Sequence, residues 1–426
     1  MNATNARAGA PSSVPRGRDT RLDLIRGLAV LTITLNHQGA LTHLVGRDGR
    51  DVPTLTHLGY SSAAELFFLL SGYLIGKLYL SRDQEGWWVG ASKRVMERSL
   101  KLYMWNGVLF LLLAAIVLFG PHALRQATNY HLLASDGLRA VAEFALLYRR
   151  PKFLDILQVY CLFMWTAPLL FLVLRISARL ALLLLVLPYV LVQIDPTLLP
   201  LDSRLGGAFH PFAWQLVFFG GMLAGRLDLL GRFTRWLEDK PQRAAWLLAL
   251  LLGSFVLCRV DRSNLLLGAY FDMPGVDKRT AGPVRLLHAV LVLLTLLALP
   301  TRWPAILSHP LARMVSNVGA HSLHAFCASI VLNYLAALMW LARPADSTYF
   351  ALAFGSLALL LLLGQVLTAW KRPAARAPAQ TALAPAPAAA PAPPAAAHVA
   401  VLRAPAQSQP QARRPAGREA PQGGLA

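Results

Sequence analysis

The sequence predicts an all-α integral membrane protein with about ten transmembrane helices. Of the 426 residues, 56% are hydrophobic and only 15% charged, and the mean hydropathy is +0.47, which is unlike a soluble chain of this length. The hydrophobic residues form long unbroken runs, such as 108–120 and 357–370. A bilayer core of about 30 Å needs roughly 20 such residues in a helix. Helices and closed barrels both satisfy the backbone in lipid, but the weak alternation of polar and apolar residues excludes a barrel.

Hydrophobic windows give the position of each predicted helix. In chain order these are residues 22–43, 61–80, 100–120, 154–174, 178–194, 211–229, 243–259, 283–300, 315–341 and 348–370. The first run carries polar residues and no small-residue cleavage site, so it is predicted to be a retained helix rather than a signal peptide.

Basic residues indicate the orientation of these helices. An even number of spans places both termini on one side, and the positive-inside rule makes the more basic side cytoplasmic. The clusters on that side are Arg16, Arg18 and Arg21, then Lys93, Arg94, Arg98 and Lys101, then Arg226, Arg232, Arg235, Lys240 and Arg243. The predicted topology therefore has both termini in the cytoplasm.

Composition divides the chain into three parts. Residues 1–20 are predicted to be a disordered cytoplasmic segment and 21–372 the membrane domain. Residues 373–426 are mostly Ala, Pro and Arg, which predicts a disordered cytoplasmic tail because large apolar residues are scarce. The net charge of +20 is assigned to topology and to contact with anionic membrane lipids, and no nucleic-acid partner is expected.

The first predicted helix carries two ionisable residues, Arg26 and His37. Eleven residues of helix return to nearly the same face about 16 Å further along, so both side chains could face one cavity. An ionisable group within a span costs about 2.5 kcal/mol or more, which favours a functional interior. The alternative is that Arg26 extends to the lipid headgroups and His37 caps the outer end of the helix.

The second predicted helix contains Glu65 and a Ser71-Gly72-Tyr73 sequence. Glu65 is expected to orient or polarise His37. Gly72 permits close approach of a neighbouring helix, and plain helix packing is the favoured interpretation of Ser71 and Gly72.

These two segments together resemble the membrane-bound acyltransferase-3 superfamily. The resemblance rests on Arg26-x10-His37 and on Ala-Glu-Leu-Phe-Phe-Leu-Leu-Ser-Gly-Tyr-Leu-Ile at 64–75. Within the superfamily the chain is most similar to the OpgC branch, named for succinylation of osmoregulated periplasmic glucans, with further matching blocks at 153–160, 211–216 and 319–327. The similarity spans about residues 21–370, but Tyr73 replaces the usual Phe and Met104 replaces a common Pro.

The resemblance implies a multi-pass enzyme of the bacterial inner membrane. It would transfer a small acyl group, with succinyl as one candidate, from a cytoplasmic acyl-CoA-type donor to hydroxyls of a periplasmic glucan or another cell-envelope glycan. His37 would be the general base, Arg26 would stabilise charge on the donor or the oxyanion, and Glu65 would orient His37. The rival hypothesis is a transporter or flippase of a glycan or lipid intermediate.

Other polar residues are candidates for substrate binding. Arg94, Arg98 and Lys101 suit the phosphates of an acyl-CoA, with topology signalling as the alternative. The candidate residues for the carbohydrate acceptor are Asp155, Gln158, Trp214, Gln215 and His321. For Asp155, Gln158, Trp214 and Gln215, an interfacial aromatic belt with capped helix ends is the alternative.

No bound cofactor and no metal site are expected. His321 and His324 have a spacing that can ligate a metal, but no carboxylate or thiolate lies at a spacing that would complete the set.

Overall fold

A computed structural model describes residues 18–80, 86–148, 151–199, 208–262 and 275–371, all within one compact unit. The segments predicted to be disordered, most of 1–20 and all of 373–426, lie outside these residues. The helices are α1 Thr20–Leu44, α2 Leu55–Leu58, α3 Ala63–Tyr79, α4 Trp87–Leu118, α5 His122–Ala127, α6 His131–Ser135, α7 Gly137–Ala145, α8 Asp155–Ile176, α9 Ala178–Ile194, α10 Pro211–Arg226, α11 Leu229–Asp239, α12 Gln242–Arg262, α13 Pro283–Arg302, α14 Ala305–Ser308, α15 Pro310–Ala320, α16 Ser322–Ala342 and α17 Asp346–Lys371. No β-strand occurs in the described ranges.

The chain is a multi-pass helical membrane protein. Among the described residues, six helices are long and apolar enough to cross a bilayer, namely α4, α8, α12, α13, α16 and α17. All ten predicted windows coincide with helices within a few residues, apart from the two differences below. Ten spans remain a prediction, because α3, α9 and α10 have only 17, 17 and 16 residues and α1 carries many polar side chains.

Two helices differ from their predicted windows. Helix α4 begins at Trp87 rather than at residue 100, since its first turns are amphipathic and hydropathy alone does not detect them. The window 315–341 is two helices separated at His321, whose backbone leaves the helical region (φ −116°, ψ 32°). Just before this break, Gly319 lies against the backbone of α1, where an added Cβ would come within 1.8 Å of the Asp23 carbonyl oxygen.

Helices α3 and α10 pack backbone to backbone through glycines. A Cβ at Gly72 would lie 2.0 Å from the Phe218 carbonyl oxygen, and one at Gly221 would lie 2.3 Å from that of Leu69. Only residues without a side chain allow two helices to approach this closely. The prediction that Gly72 permits close helix approach is confirmed.

The order of the helices brings several termini to one end of the bundle. The last turns of α1 and the first residues of α3, α8 and α13 surround a common cavity there. We call this the cavity end. At the other end, α3 finishes at Tyr79 and α11 connects α10 to α12.

The glycine contact makes a prediction with a control on the same helix. Gly221→Ala should lower the thermal stability of the purified protein, since overpacking typically costs about 1–3 kcal/mol. A Cβ at the adjacent Gly220 would meet nothing within 4 Å, so Gly220→Ala should be neutral or raise the melting temperature. Equal melting temperatures for the two variants would contradict the close α3–α10 contact.

Candidate active site

A cavity of about 480 Å³ opens at the cavity end of the bundle. We call it the His37 cavity. Its ionisable lining residues include His37 from α1, Asp51 from the loop after α1, Lys152 and Asp155 at the start of α8, Lys278, and Arg285 from α13. This volume is within the range of small-molecule and cofactor sites.

His37 lies on the wall of this cavity and is held by an aromatic contact. Its ring stacks on Phe153 with centroids 4.0 Å apart and an interplanar angle of 11°. Phe153 has a left-handed backbone (φ +70°) immediately before α8, a conformation that costs energy and is often found at functional sites. The His37 Nδ1 atom is buried and has no hydrogen-bond partner among the described residues.

Glu65 pairs with a residue that the sequence analysis did not identify. Its carboxylate accepts a hydrogen bond from the Arg285 Nε, and also from the backbone N–H and the hydroxyl of Ser62, each at 2.8 Å. The prediction that Glu65 contacts and orients His37 is therefore wrong. The Glu65 carboxylate points toward α13 and caps the start of its own helix instead. The Glu65 side chain is 1% exposed and that of Arg285 10%, so each charge needs the other.

The Asp51 carboxylate is paired with residues outside the His37 cavity. Its Oδ1 pairs with the Arg47 guanidinium and lies 3.0 Å from the His43 Nε2. The Tyr349 hydroxyl also donates to it at 3.3 Å. Asp51 therefore belongs to a network that joins the end of α1 to the start of α17, although it lines the cavity.

Trp214 lies behind the cavity and supports one of its lysines. The side chain is fully buried and its Nε1–H donates to the carbonyl oxygens of Lys278 and Arg279 at 3.1 and 3.2 Å. The same segment is held from α9 by the Tyr189 hydroxyl and by Gln193, which donate to the next two carbonyls, of Ala281 and Thr280. Trp214 thus fixes the backbone that carries Lys278 and does not line the cavity.

Two of the cations that line the cavity form no ion pair with the part of the chain that the structure describes. Neither the Lys152 nor the Lys278 ammonium lies within 4.0 Å of a carboxylate among the residues the structure describes. The Lys278 Nζ lies 5.2 Å from the centroid of the Phe209 ring. Desolvation at the cavity wall lowers the pKa of Lys278, while Asp155 and Glu65 pull it in the opposite direction. Helices α3 and α8 also begin at the wall, and helix N-termini add positive potential.

Arg26 lies toward the other end of α1 and is not among the residues that line the His37 cavity. Its Nη2 donates to the Ser322 hydroxyl, and its Nη1 lies 3.8 Å from the Asp23 carboxylate. The expectation that Arg26 and His37 line one cavity is wrong for the residues that the structure describes, because only His37 lines it. About 16 Å of helix separates the two residues, and α16 supplies the partner of Arg26.

None of the three predicted donor residues lines the His37 cavity, and one of them lies near Arg26. Arg98 lies beside the hydroxyls of Tyr79 and Tyr160, and it is an electrostatic neighbour of Arg26. Arg94 donates to the Tyr79 carbonyl at 3.4 Å, and Arg94 and Lys101 are exposed. The structure therefore brings Arg26 and Arg98 together.

The predicted acceptor residues are divided by the structure. Asp155 lines the His37 cavity, whereas Gln158, one turn further into α8, is buried and is not part of its wall. Gln215 and His321 are also absent from the wall. His321 lies at the break between α15 and α16, with its ring 6.4 Å from that of His324.

Sequence reasoning missed Arg285, Lys152 and Lys278. Arg285 had a signal, because it is a charged residue inside the hydrophobic window 283–300. The two lysines lie in connecting segments, where a basic residue is ordinary. Within the described ranges, no group of three or more His, Cys, Asp or Glu residues could hold a metal ion.

Comparison with known proteins gives one family match. The model of the family described as OpgC protein matches residues 18–372. No curated protein and no solved structure matches the chain significantly.

The ion pair between Glu65 and Arg285 predicts unequal effects of single and paired substitutions. Arg285→Gln should strongly lower the yield and thermal stability of folded protein, since removing one partner of a buried pair costs about 3–5 kcal/mol. The double variant Glu65→Gln with Arg285→Gln should recover much of the loss, because no buried charge remains unpaired. Thermal unfolding in detergent measures both, and additive losses would contradict the pairing.

Proposed function

The chain belongs to the OpgC family, and from this premise we propose that it is an O-acyltransferase that places a small acyl group on the hydroxyls of a glucan or another cell-envelope glycan. Family membership indicates a glucan-modifying transferase. The observation that carries the proposal is the His37 cavity. There an imidazole shares one space with two ammoniums, and among the described residues the imidazole has no hydrogen bond and the ammoniums have no ion pair.

His37 is the proposed general base. A sugar hydroxyl is a weak nucleophile at neutral pH and gains reactivity when a neighbouring base accepts its proton during attack. In the proposed step, the hydroxyl oxygen attacks the thioester carbonyl of the donor and a C–O bond forms. The C–S bond then breaks, and the proton held by His37 passes to the departing thiolate. Stacking on Phe153 holds the imidazole in place for both transfers.

Two lysines of the cavity, which have no ion pair among the described residues, favour an acyl group with its own carboxylate. Arg285 is engaged by Glu65, and Asp51 is engaged by Arg47. Lys152 and Lys278 therefore remain available on the wall, with Asp155 as the other carboxylate that lines it. A free carboxylate on the transferred group would satisfy these ammoniums through charge-assisted hydrogen bonds. This supports succinyl, which keeps one free carboxylate both as the thioester of the donor and as the ester on the glycan, over a neutral acyl group.

The donor is proposed to be an acyl-CoA-type thioester that reaches the cavity from the opposite end of the bundle. Arg26 and Arg98 are neighbours there, and Arg94 and Lys101 lie exposed on the same helix as Arg98. Guanidinium and ammonium groups suit the phosphates of such a donor. In this proposal Arg26 stabilises donor charge and does not contact the imidazole.

The membrane setting follows from the same proposal. With ten spans and both termini in the cytoplasm, the cavity end faces the periplasm of a bacterial inner membrane, where the glycan acceptor is located. Asp155 is the candidate from the predicted acceptor set for a hydrogen bond to the sugar, because it lines the cavity. Placement in the acyltransferase-3 superfamily rests on the residue pattern of the first two segments.

The test of the base compares two histidines in the purified protein. His37→Ala should reduce ester formation from succinyl-CoA and a soluble β-glucan oligosaccharide by about a hundredfold or more, the usual contribution of a general base. His324→Ala is the control, because this residue is exposed, contacts the Trp105 ring and does not line the cavity. Full activity of His37→Ala would overturn the role of His37.

Glycan movement across vesicles without any new ester would favour the transporter.

The test of the acyl-group preference uses Lys278. Lys278→Gln should reduce the ratio of kcat/KM for succinyl-CoA to that for butyryl-CoA by about tenfold, as expected for one charge-assisted bond. Lys278→Arg should retain the preference. Since desolvation lowers the pKa of Lys278, its charge is present at low pH and is lost as the pH rises through that lowered value. The wild-type preference should therefore decline at a lower pH than the ordinary lysine pKa of about 10.4, and Lys278→Arg should remove this decline.

A further inference from the structure

A second polar cavity lies at the end of the bundle opposite His37. It has a volume of about 260 Å³, and we call it the Arg235 cavity. Its charged lining residues are Asp19 and Arg21 at the start of α1, Lys77 at the end of α3, and Asp228 and Arg235 at and within α11. None of them lines the His37 cavity, and the proposed acyl transfer uses none of them.

Most of these charges are already paired. Arg21 holds both oxygens of Asp19, with its Nε 3.0 Å from Oδ1 and its Nη2 2.9 Å from Oδ2. The Lys77 ammonium lies 3.0 Å from the Asp228 Oδ1, which also accepts from the Tyr73 hydroxyl at 2.9 Å. Asp228 has a left-handed backbone (φ +49°) immediately before α11.

Arg235 is the third cation of this cavity, after the paired Arg21 and Lys77. Its guanidinium lines the cavity and has no ion pair or hydrogen bond with the described residues, although it contributes to the field at Asp228. The lining side chains comprise three cations and two carboxylates, which leaves one positive charge. A cavity with this excess and with lysine and tyrosine donors nearby suits a singly charged oxyanion.

Helix α11 shows where such an anion would come from. Leu230, Thr234 and Leu237 face the protein, while Leu229 and Trp236 are 43% and 47% exposed. Arg232 and Arg235 are exposed on the same helix. A short helix with basic residues and an exposed tryptophan, located where one bundle helix ends and the next begins, is typical of a segment at the headgroup level of a bilayer.

We propose that the Arg235 cavity binds the phosphate of an anionic phospholipid headgroup, with Arg235 as the charged donor and Lys77 as a second donor. The phosphodiester would enter beneath α11, and the lipid chains would lie beside Leu229 and Trp236. The bound headgroup would join α11 to the end of α3.

The experiment counts ligands retained on the full-length protein by native mass spectrometry after incubation with phosphatidylglycerol, with phosphatidylcholine or with inorganic pyrophosphate. The wild type should retain one phosphatidylglycerol in preference to phosphatidylcholine. Arg235→Gln should weaken this binding about fivefold, the usual effect of one basic residue at an anionic surface. Arg232→Gln is the matched control, since Arg232 lies on the same helix and does not line the cavity.

Three outcomes decide the proposal. Selective loss in Arg235→Gln supports it. Equal loss in both arginine variants overturns it, because that result reflects general attraction of the helix to an anionic membrane. Occupancy by inorganic pyrophosphate without any preference for phosphatidylglycerol overturns the lipid assignment and indicates a soluble phosphate ligand.

Discussion

The buried ion pair between Glu65 and Arg285 is the constraint on which the candidate site depends. It joins the first turn of α3 to the first turn of α13, two helices that both begin at the His37 cavity. Two charges at this depth are tolerated only when each satisfies the other, so the pair fixes the relative position of the two helix starts. The Ser62 contacts of Glu65 extend the same constraint into the cap of α3.

Because Glu65 and Arg285 neutralise each other, the positive charge available to a ligand in the cavity comes from other residues. The Arg285 guanidinium lines the cavity but is neutralised by Glu65, and Asp51 is held by the network of Arg47 and His43. Lys152 and Lys278 are left facing the same space as His37. A base beside two ammoniums that no described carboxylate pairs suits the transfer of a group that carries its own carboxylate, which is the chemistry proposed for this chain.

The sequence predicted the helices well because hydrophobic windows report directly on burial in a bilayer or a core. It also identified His37 and Asp155, which line the cavity. The sequence-based prediction of side-chain partners was wrong where the partner lies on a neighbouring helix. Helical spacing places Arg26 and His37 on one face of α1, but it does not show that α16 takes Arg26 or that α13 takes Glu65. Trp214 was expected to contact sugar, yet its indole N–H supports the loop of Lys278, a partner 64 residues away in sequence.

We propose that the chain esterifies a cell-envelope glycan with an acyl group that carries a carboxylate. The most direct measurement is mass spectrometry of the envelope glucans from a strain that lacks this protein and from the same strain complemented with the wild type. We expect the ester-linked, base-labile mass of a dicarboxylic acyl group to be present only after complementation. Identical glucan masses in the two strains would contradict it.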